Sequence, residues 1–344
     1  MSALAILWFF LIFLLIAGYF ILDGFDLGVG TLFPFVCKTE EEKSIARRAI
    51  GPVWDGNEVW LLTAGGALFA AFPDAYATTF SGFYLAIMLV LFALIVRAVS
   101  FEFHAGDSKW GKVWDVCFFL GSALPALLFG VAVGNVIAGI PMDSLGNYTG
   151  IPLLGLISPF TLLTGLLGLA MFIAAGASWL ALKAPIDSEL RARAKAIKAP
   201  MQWICIVLFI VATACMFVMF GGAIVVSEGM MLVAILFLVL FLACILASIF
   251  IGRTDGSRSD MLAFVFQSGS ACSLVFLVAF SMFPNLVNAS PDSVGSAITL
   301  MSAGASETSL FCMTVILCIG LPLVLVYHVL IYRTFRGRVA IEAH

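Results

Sequence analysis

All 17 Lys and Arg residues of this chain fall in alternate connections between long apolar runs. A helix needs about 20 largely apolar residues to cross a bilayer. Nine segments meet that requirement, roughly 3–34, 52–73, 76–101, 113–140, 157–182, 202–223, 229–251, 261–283 and 307–332. Lys38, Lys43, Arg47 and Arg48 separate the first from the second, and Arg97 (at the end of its span), Lys109 and Lys112 the third from the fourth. Lys183, Arg191, Arg193, Lys195 and Lys198 lie between the fifth and sixth, Arg253 and Arg258 between the seventh and eighth. Arg333, Arg336 and Arg338 follow the ninth, and the remaining connections hold neither residue. By the positive-inside rule the amino terminus is outside, the carboxyl terminus is cytoplasmic, and the span count is odd. The runs are continuously apolar, without the two-residue alternation of barrel strands, so the spans are helices.

The expectation is an all-α polytopic membrane protein, a single integral domain over residues 1–344. Charged residues are 11% of the chain, against about 25% in soluble domains, and 63% is hydrophobic. A net charge of −3 and three histidines argue against a nucleic-acid partner. Of the eight cysteines, Cys37 falls in a short loop and the others inside apolar runs. They form no C-x-x-C pair and read as packing residues. Ala3–Leu22 has no basic leader and no small-x-small cleavage site, so it reads as a retained span rather than a signal peptide. Thr39-x-x-Glu42 predicts a capped surface helix over 40–49. The 187–198 connection reads as a second solvated helix, where a partner contact is conceivable, and 284–306, rich in Ser, Asn, Pro and Gly, as a loop.

Acidic side chains inside a span cost about 2.5–3.5 kcal/mol on insertion scales, which makes them functional candidates. Asp23 and Asp26, three apart, share a helix face, and Gly24, Gly28 and Gly30 leave that face open to a neighbouring helix. The plainer alternative places both at the membrane boundary. Asp55 and Glu58 repeat the spacing after Pro52, between Trp54 and Trp60. Complementing the helix dipole explains one acid there but not the whole polar cluster. The end of the first span and the start of the second share one side of the membrane, so all four carboxylates are expected to converge. Arg97, with Glu102 and His104 nearby, either snorkels to the interface or pairs with Asp26 or Asp55. Asp115 reads as an interface charge, Asp74, Asp143, Glu228 and Asp292 as solvated loop acids, and Glu307 as a helix-start acid.

Haem ligation usually draws on His, Met or Cys. His104, His328 and His344 are all placed away from mid-span, and paired histidine ligands for two haems cannot be assembled from them. No phosphate-binding loop or dinucleotide fingerprint occurs. Three function classes suit the acids alone: a proton-conducting subunit, a proton-coupled secondary transporter, or a scaffold whose acids pair with a partner's bases. Transporter sites favour the midplane at a repeat interface, whereas these acids gather at one end.

Gly24-Phe25-Asp26-Leu27-Gly28-Val29-Gly30, Trp54-Asp55-Gly56-Asn57-Glu58-Val59-Trp60 and Gly65-Gly66-Ala67-Leu68-Phe69-Ala70-Ala71-Phe72-Pro73 together resemble subunit II of cytochrome bd-type quinol oxidases. Ser81-Gly82-Phe83-Tyr84, Arg97 and Gly134-Asn135 extend the likeness over the first 140 or so residues. The resemblance implies a heterodimer with a subunit I that carries two b-type haems, one d-type haem and the quinol site. That complex passes electrons from quinol to oxygen, forming water with protons from the cytoplasm. It also implies two four-helix bundles plus a peripheral ninth helix, in a bacterial or archaeal cell membrane. Carried over residue by residue, the proton path falls on Asp26 and Asp55, with Asp23, Glu58 and Arg97 in support. Trp54 takes the place of a tryptophan beside the partner's haem, and Gly24 and Gly28 are packing positions. No cofactor is expected on this chain itself, although a bound quinone is compatible with the resemblance, as are small single-span accessory subunits and membrane lipids as partners.

Overall fold

A computed structural model describes residues 2–103, 110–219 and 228–340. Helix α1 (Ala3–Val36) continues through Pro34 and stops at Cys37. The expected surface helix follows as α2 (Glu40–Ile50), begun by the expected capping box between Thr39 and Glu42. The Glu42 carboxylate takes the Lys38 N–H at 2.6 Å, the Thr39 N–H at 3.3 Å, and an Arg193 guanidinium N–H. Burial acts to raise the Glu42 pKa, but these donors outweigh it and hold the group below the usual glutamate value.

Helix α3 (Trp54–Ala71) is followed by α4 (Pro73–Gly82) and α5 (Tyr84–Phe103). The third span, expected as one helix over 76–101, is thus interrupted at Phe83. Gly82 weakens the helix there, and Thr79 turns its hydroxyl back onto the Ala75 carbonyl at 2.6 Å. A Cβ on Gly82 would meet the Tyr148 ring at 3.0 Å. The remaining long helices are α6 (Gly111–Ala138), α7 (Pro159–Lys183), α8 (Glu189–Met219), α9 (Met231–Ile251) and α10 (Ser257–Met282). A one-turn α11 (Leu300–Ala303) and a long α12 (Glu307–Thr334) complete the chain.

Among the described residues, eight helices are long and apolar enough to cross a membrane. Of the nine expected spans, α3 falls outside that set. It has 18 residues, and Asp55, Asn57 and Glu58 occupy its opening turns and lower its hydropathy. Helices α1, α3, α5 and α6 pack as one group and α7–α10 as another, joined where α7 packs on both α1 and α6, with α12 at the periphery. The join is backbone on backbone. A Cβ on Gly28 would lie 1.8 Å from the Phe172 carbonyl oxygen, and one on Gly176 would lie 2.2 Å from the Gly28 carbonyl carbon.

The basic connections converge at one end of the helices. Asp115 pairs with Lys43 at 2.7 Å and Arg47 at 2.6 Å. Arg193 donates to Val36 O at 2.8 Å as well as to Glu42. Asp260, fully buried, receives Arg191 at 2.9 Å and Arg338 at 2.8 Å. Residues 187–198 are therefore not a separate solvated helix. From Glu189 onward they are the first turns of α8, with Leu190, Arg191, Ala194 and Lys198 buried against neighbouring elements. At the other end, 284–306 is more ordered than a loop. Asn285–Val287 and Ile298–Thr299 pair antiparallel, and Gly295 N–H bonds to Met142 O at 3.0 Å. All eight cysteines are unpaired.

Candidate functional site

Asp23 and Asp26 project from the second half of α1 and are fully buried. Burial of two acids one turn apart demands partners. Arg97 of α5, itself buried, supplies one set: its Nη2 donates to Asp23 Oδ1 at 2.6 Å and its Nη1 to Asp23 Oδ2 at 3.2 Å. Gly121 of α6 makes room for it, since a Cβ there would sit 2.8 Å from Arg97 Cβ. The guanidinium carbon lies 5.9 Å from the Trp54 ring centre, within cation–π range, and Trp54 packs on Phe101 at 5.6 Å. Glu58 approaches the same guanidinium at 3.7 Å, too far for a hydrogen bond, and its Oε1 is buried without one among the described residues.

Asp26 is bound differently. Its Oδ2 accepts from Asn57 Nδ2 at 2.7 Å, and Asn57 also donates to Leu22 O at 3.3 Å. Tyr332 of α12 donates its phenol to Asn57 Oδ1 at 3.0 Å. Asp26 Oδ1 is buried and has no hydrogen-bond partner among the described residues, and so is the Tyr19 hydroxyl one turn from Asp23. One turn along α12 from Tyr332, His328 accepts the Trp60 indole N–H at 3.1 Å and engages Val324 O at 2.9 Å through Nδ1. Those two bonds fix a neutral imidazole with Nδ1 protonated. The Tyr332 ring also lines a cleft of about 730 Å³ on the basic end of the molecule, together with Arg47, Val53, Trp179, Lys183 and Arg338.

Asp23, Asp26, Glu58, Arg97 and Trp54 thus come together as expected, with two corrections. Arg97 pairs with Asp23, not with Asp26 or Asp55. Asp55 does not join the cluster but is exposed on the outer side of α3. The buried stripe of α3 runs through Trp54, Asn57 and Trp60. At about 100° per residue Glu58 lies about 40° from Trp54, whereas Asp55 is turned about 100° away. Gly24 and Gly28 both meet α7, and a Cβ on Gly24 would lie 2.8 Å from the Phe172 ring. Glu102 lies at the end of α5, while His104 and Lys109 lie outside the described residues.

Sequence reasoning left out Asn57, Tyr332 and Asp260 as site or network residues. Asn57 stood within a quoted motif. Tyr332 and His328, one turn apart on an otherwise apolar helix, were the available signal for α12. His328 is the one histidine among the described residues. Both nitrogens of His328 are engaged, and the described residues hold no group of three or more His, Cys, Asp or Glu suited to a metal.

Residues 4–335 match the family model described as cytochrome bd terminal oxidase subunit II. The chain is 34% identical to cytochrome bd-I ubiquinol oxidase subunit 2 of Escherichia coli (strain K12), covering 99% of this chain and 96% of the relative. It is 33% identical to cytochrome bd ubiquinol oxidase subunit 2 of Bacillus subtilis (strain 168), covering 99% and 98%. In fold it is similar to a chain of the bd oxidase from Geobacillus thermodenitrificans, with a TM-score of 0.77 at 16% identity over 97% of this chain and 99% of that one.

Proposed function

The chain belongs to the subunit II family of cytochrome bd terminal oxidases, and from that membership we propose that its buried acid cluster carries protons to an oxygen-reduction site on subunit I. It is a multi-pass membrane subunit of a quinol oxidase complex. The amino terminus faces outside and the basic end faces the cytoplasm. Subunit I carries two b-type haems and one d-type haem, which supply the electron transfer and oxygen chemistry. The present chain stabilises it through the exposed apolar faces of α3 and α5, such as Leu62, Phe69, Phe92 and Ile95.

The observation that supports a proton path is the unequal treatment of two neighbouring aspartates. Arg97 is committed to Asp23 by two hydrogen bonds, which makes Asp23 a fixed counter-ion. Asp26 has no cationic partner in hydrogen-bond contact, and one of its oxygens is bare. A bare carboxylate oxygen is the atom on which a proton bonds and from which it leaves. Glu58, near Arg97 but not hydrogen-bonded to it, is a second acceptor. Asp55, on the exposed face of α3, collects protons at the subunit boundary and passes them inward. Uptake from one side only makes the reaction electrogenic without a pump.

The test is Asp26→Asn in the purified complex, followed by haem content and quinol-driven oxygen uptake. Slowed uptake with haem retained supports the path. Normal uptake places the path elsewhere, and loss of haem makes Asp26 structural.

A further inference from the structure

We propose that Tyr332, acting through Asn57, is a positioning residue that fixes which oxygen of Asp26 takes the proton. The inference rests on Asp26 being a proton carrier and adds how that carrier is held. Helix α12 is the least embedded long helix, with Leu310 its one buried residue among those described. Its polar stripe is short: His328 and Tyr332 meet α3 at Trp60 and Asn57. Tyr332 stands between two environments, with its ring lining the cleft at the basic end and its hydroxyl directed at the Asn57 amide.

The chemistry of an amide makes that single bond consequential. Asn57 offers an oxygen and an NH2 group of nearly equal size. Leu22 O can only accept and so holds the NH2 end toward Asp26 Oδ2, 2.7 Å away, and the Tyr332 phenol donated to Oδ1 supports that orientation from the other end. The same bond polarises the amide and strengthens the N–H it gives to the carboxylate. Oδ2 is thereby occupied by a donor, and Oδ1 is the lone-pair site left for the proton. Without the phenol Oδ1 loses its donor, and the N–H that Asn57 gives to Asp26 weakens. Other titratable or charged groups around Asp26 are Tyr19 and Asp23 on α1, Glu58 on α3, Arg97 on α5 and His328 on α12, and none of them donates a hydrogen bond to it among the described residues.

The experiment is pH-dependent infrared difference spectroscopy of the purified oxidase complex, with Asp26→Asn used to assign the carboxyl C=O band. In Tyr332→Phe, which keeps the ring and its packing, the band changes frequency and persists to higher pH. Its midpoint rises by up to about one pH unit, the size expected for losing a hydrogen bond to a charged group outright. The alkaline limb of quinol-driven oxygen uptake moves the same way. Asn57→Ala, which removes the donor itself, displaces the band in the same direction. An Asp26 band and pH profile unchanged in Tyr332→Phe overturn the positioning role while leaving Asp26 a carrier. Absence of an Asp26-dependent band, with normal uptake in Asp26→Asn, overturns the carrier reading and this inference with it.

Discussion

Arg97 and Asp23 form a buried, two-bonded ion pair between α5 and α1, at 2.6 and 3.2 Å. The pair joins two helices while leaving Asp26, one turn away, to a neutral amide. Removing one partner strands a charge in a dry interior, at a cost of about 3–5 kcal/mol. Asp23→Asn and Arg97→Gln should each lower the thermal unfolding temperature of the purified complex. The double variant should lose less than the two singles combined. Arg97→Lys should not rescue, because an ammonium cannot reproduce the planar two-bond contact. Strict additivity would show that the pair is not coupled.

Helix α1 meets α7 through Gly28 and Gly176, where any side chain would overlap backbone. Gly28→Ala is therefore expected to separate the helices at the site, at a cost of about 1–3 kcal/mol or more. Complex yield and melting temperature are the readouts. Gly320 of α12, where an added Cβ meets nothing within 4 Å, should tolerate alanine and serves as the control.

Acid sensitivity at the basic end follows from Glu42. Burial pushes its pKa up, but the Lys38 N–H and Arg193 pull it further down, so the folded value lies below the unfolded one. A lowered carboxylate pKa contributes stability above the unfolded value, and that contribution is lost as pH falls through the folded one. Glu42→Gln should flatten the acid side of the melting-temperature profile while changing little at the lowest pH. An identical acid slope in the variant would contradict this assignment.

Arg338 holds the segment after α12 in place, donating to Asp260 at 2.8 Å and to Ala181 O at 2.9 Å. Arg338→Gln should expose that segment to limited proteolysis after Thr334, with helices α7 to α10 remaining intact. Asp260 keeps Arg191, so the loss should be about 1.5–3 kcal/mol or less. Unchanged cleavage kinetics would show that other contacts fasten the segment.

Membrane class and the gathering of basic residues at one end were legible because insertion depends on composition and on where Lys and Arg stop. The glycines of α1 were legible too, since a small-residue face beside acids predicts a close helix. The Arg97 partner was not. Asp23 is 74 positions away, and Asp26 offers the same chemistry one turn further along. Helical spacing grouped Asp55 with Glu58 but could not say which side of α3 turns inward. Asn57 and Trp60 made that choice by packing. Asp260 stands two residues from Arg258 in the sequence, and only the fold brings Arg191 and Arg338 to it.

Quinol-driven oxygen uptake by the Asp26→Asn complex, measured with haem content on the same preparation, addresses the central claim most directly. The expected result is uptake slowed by about tenfold or more with haem retained. Uptake at the unmodified rate would contradict it.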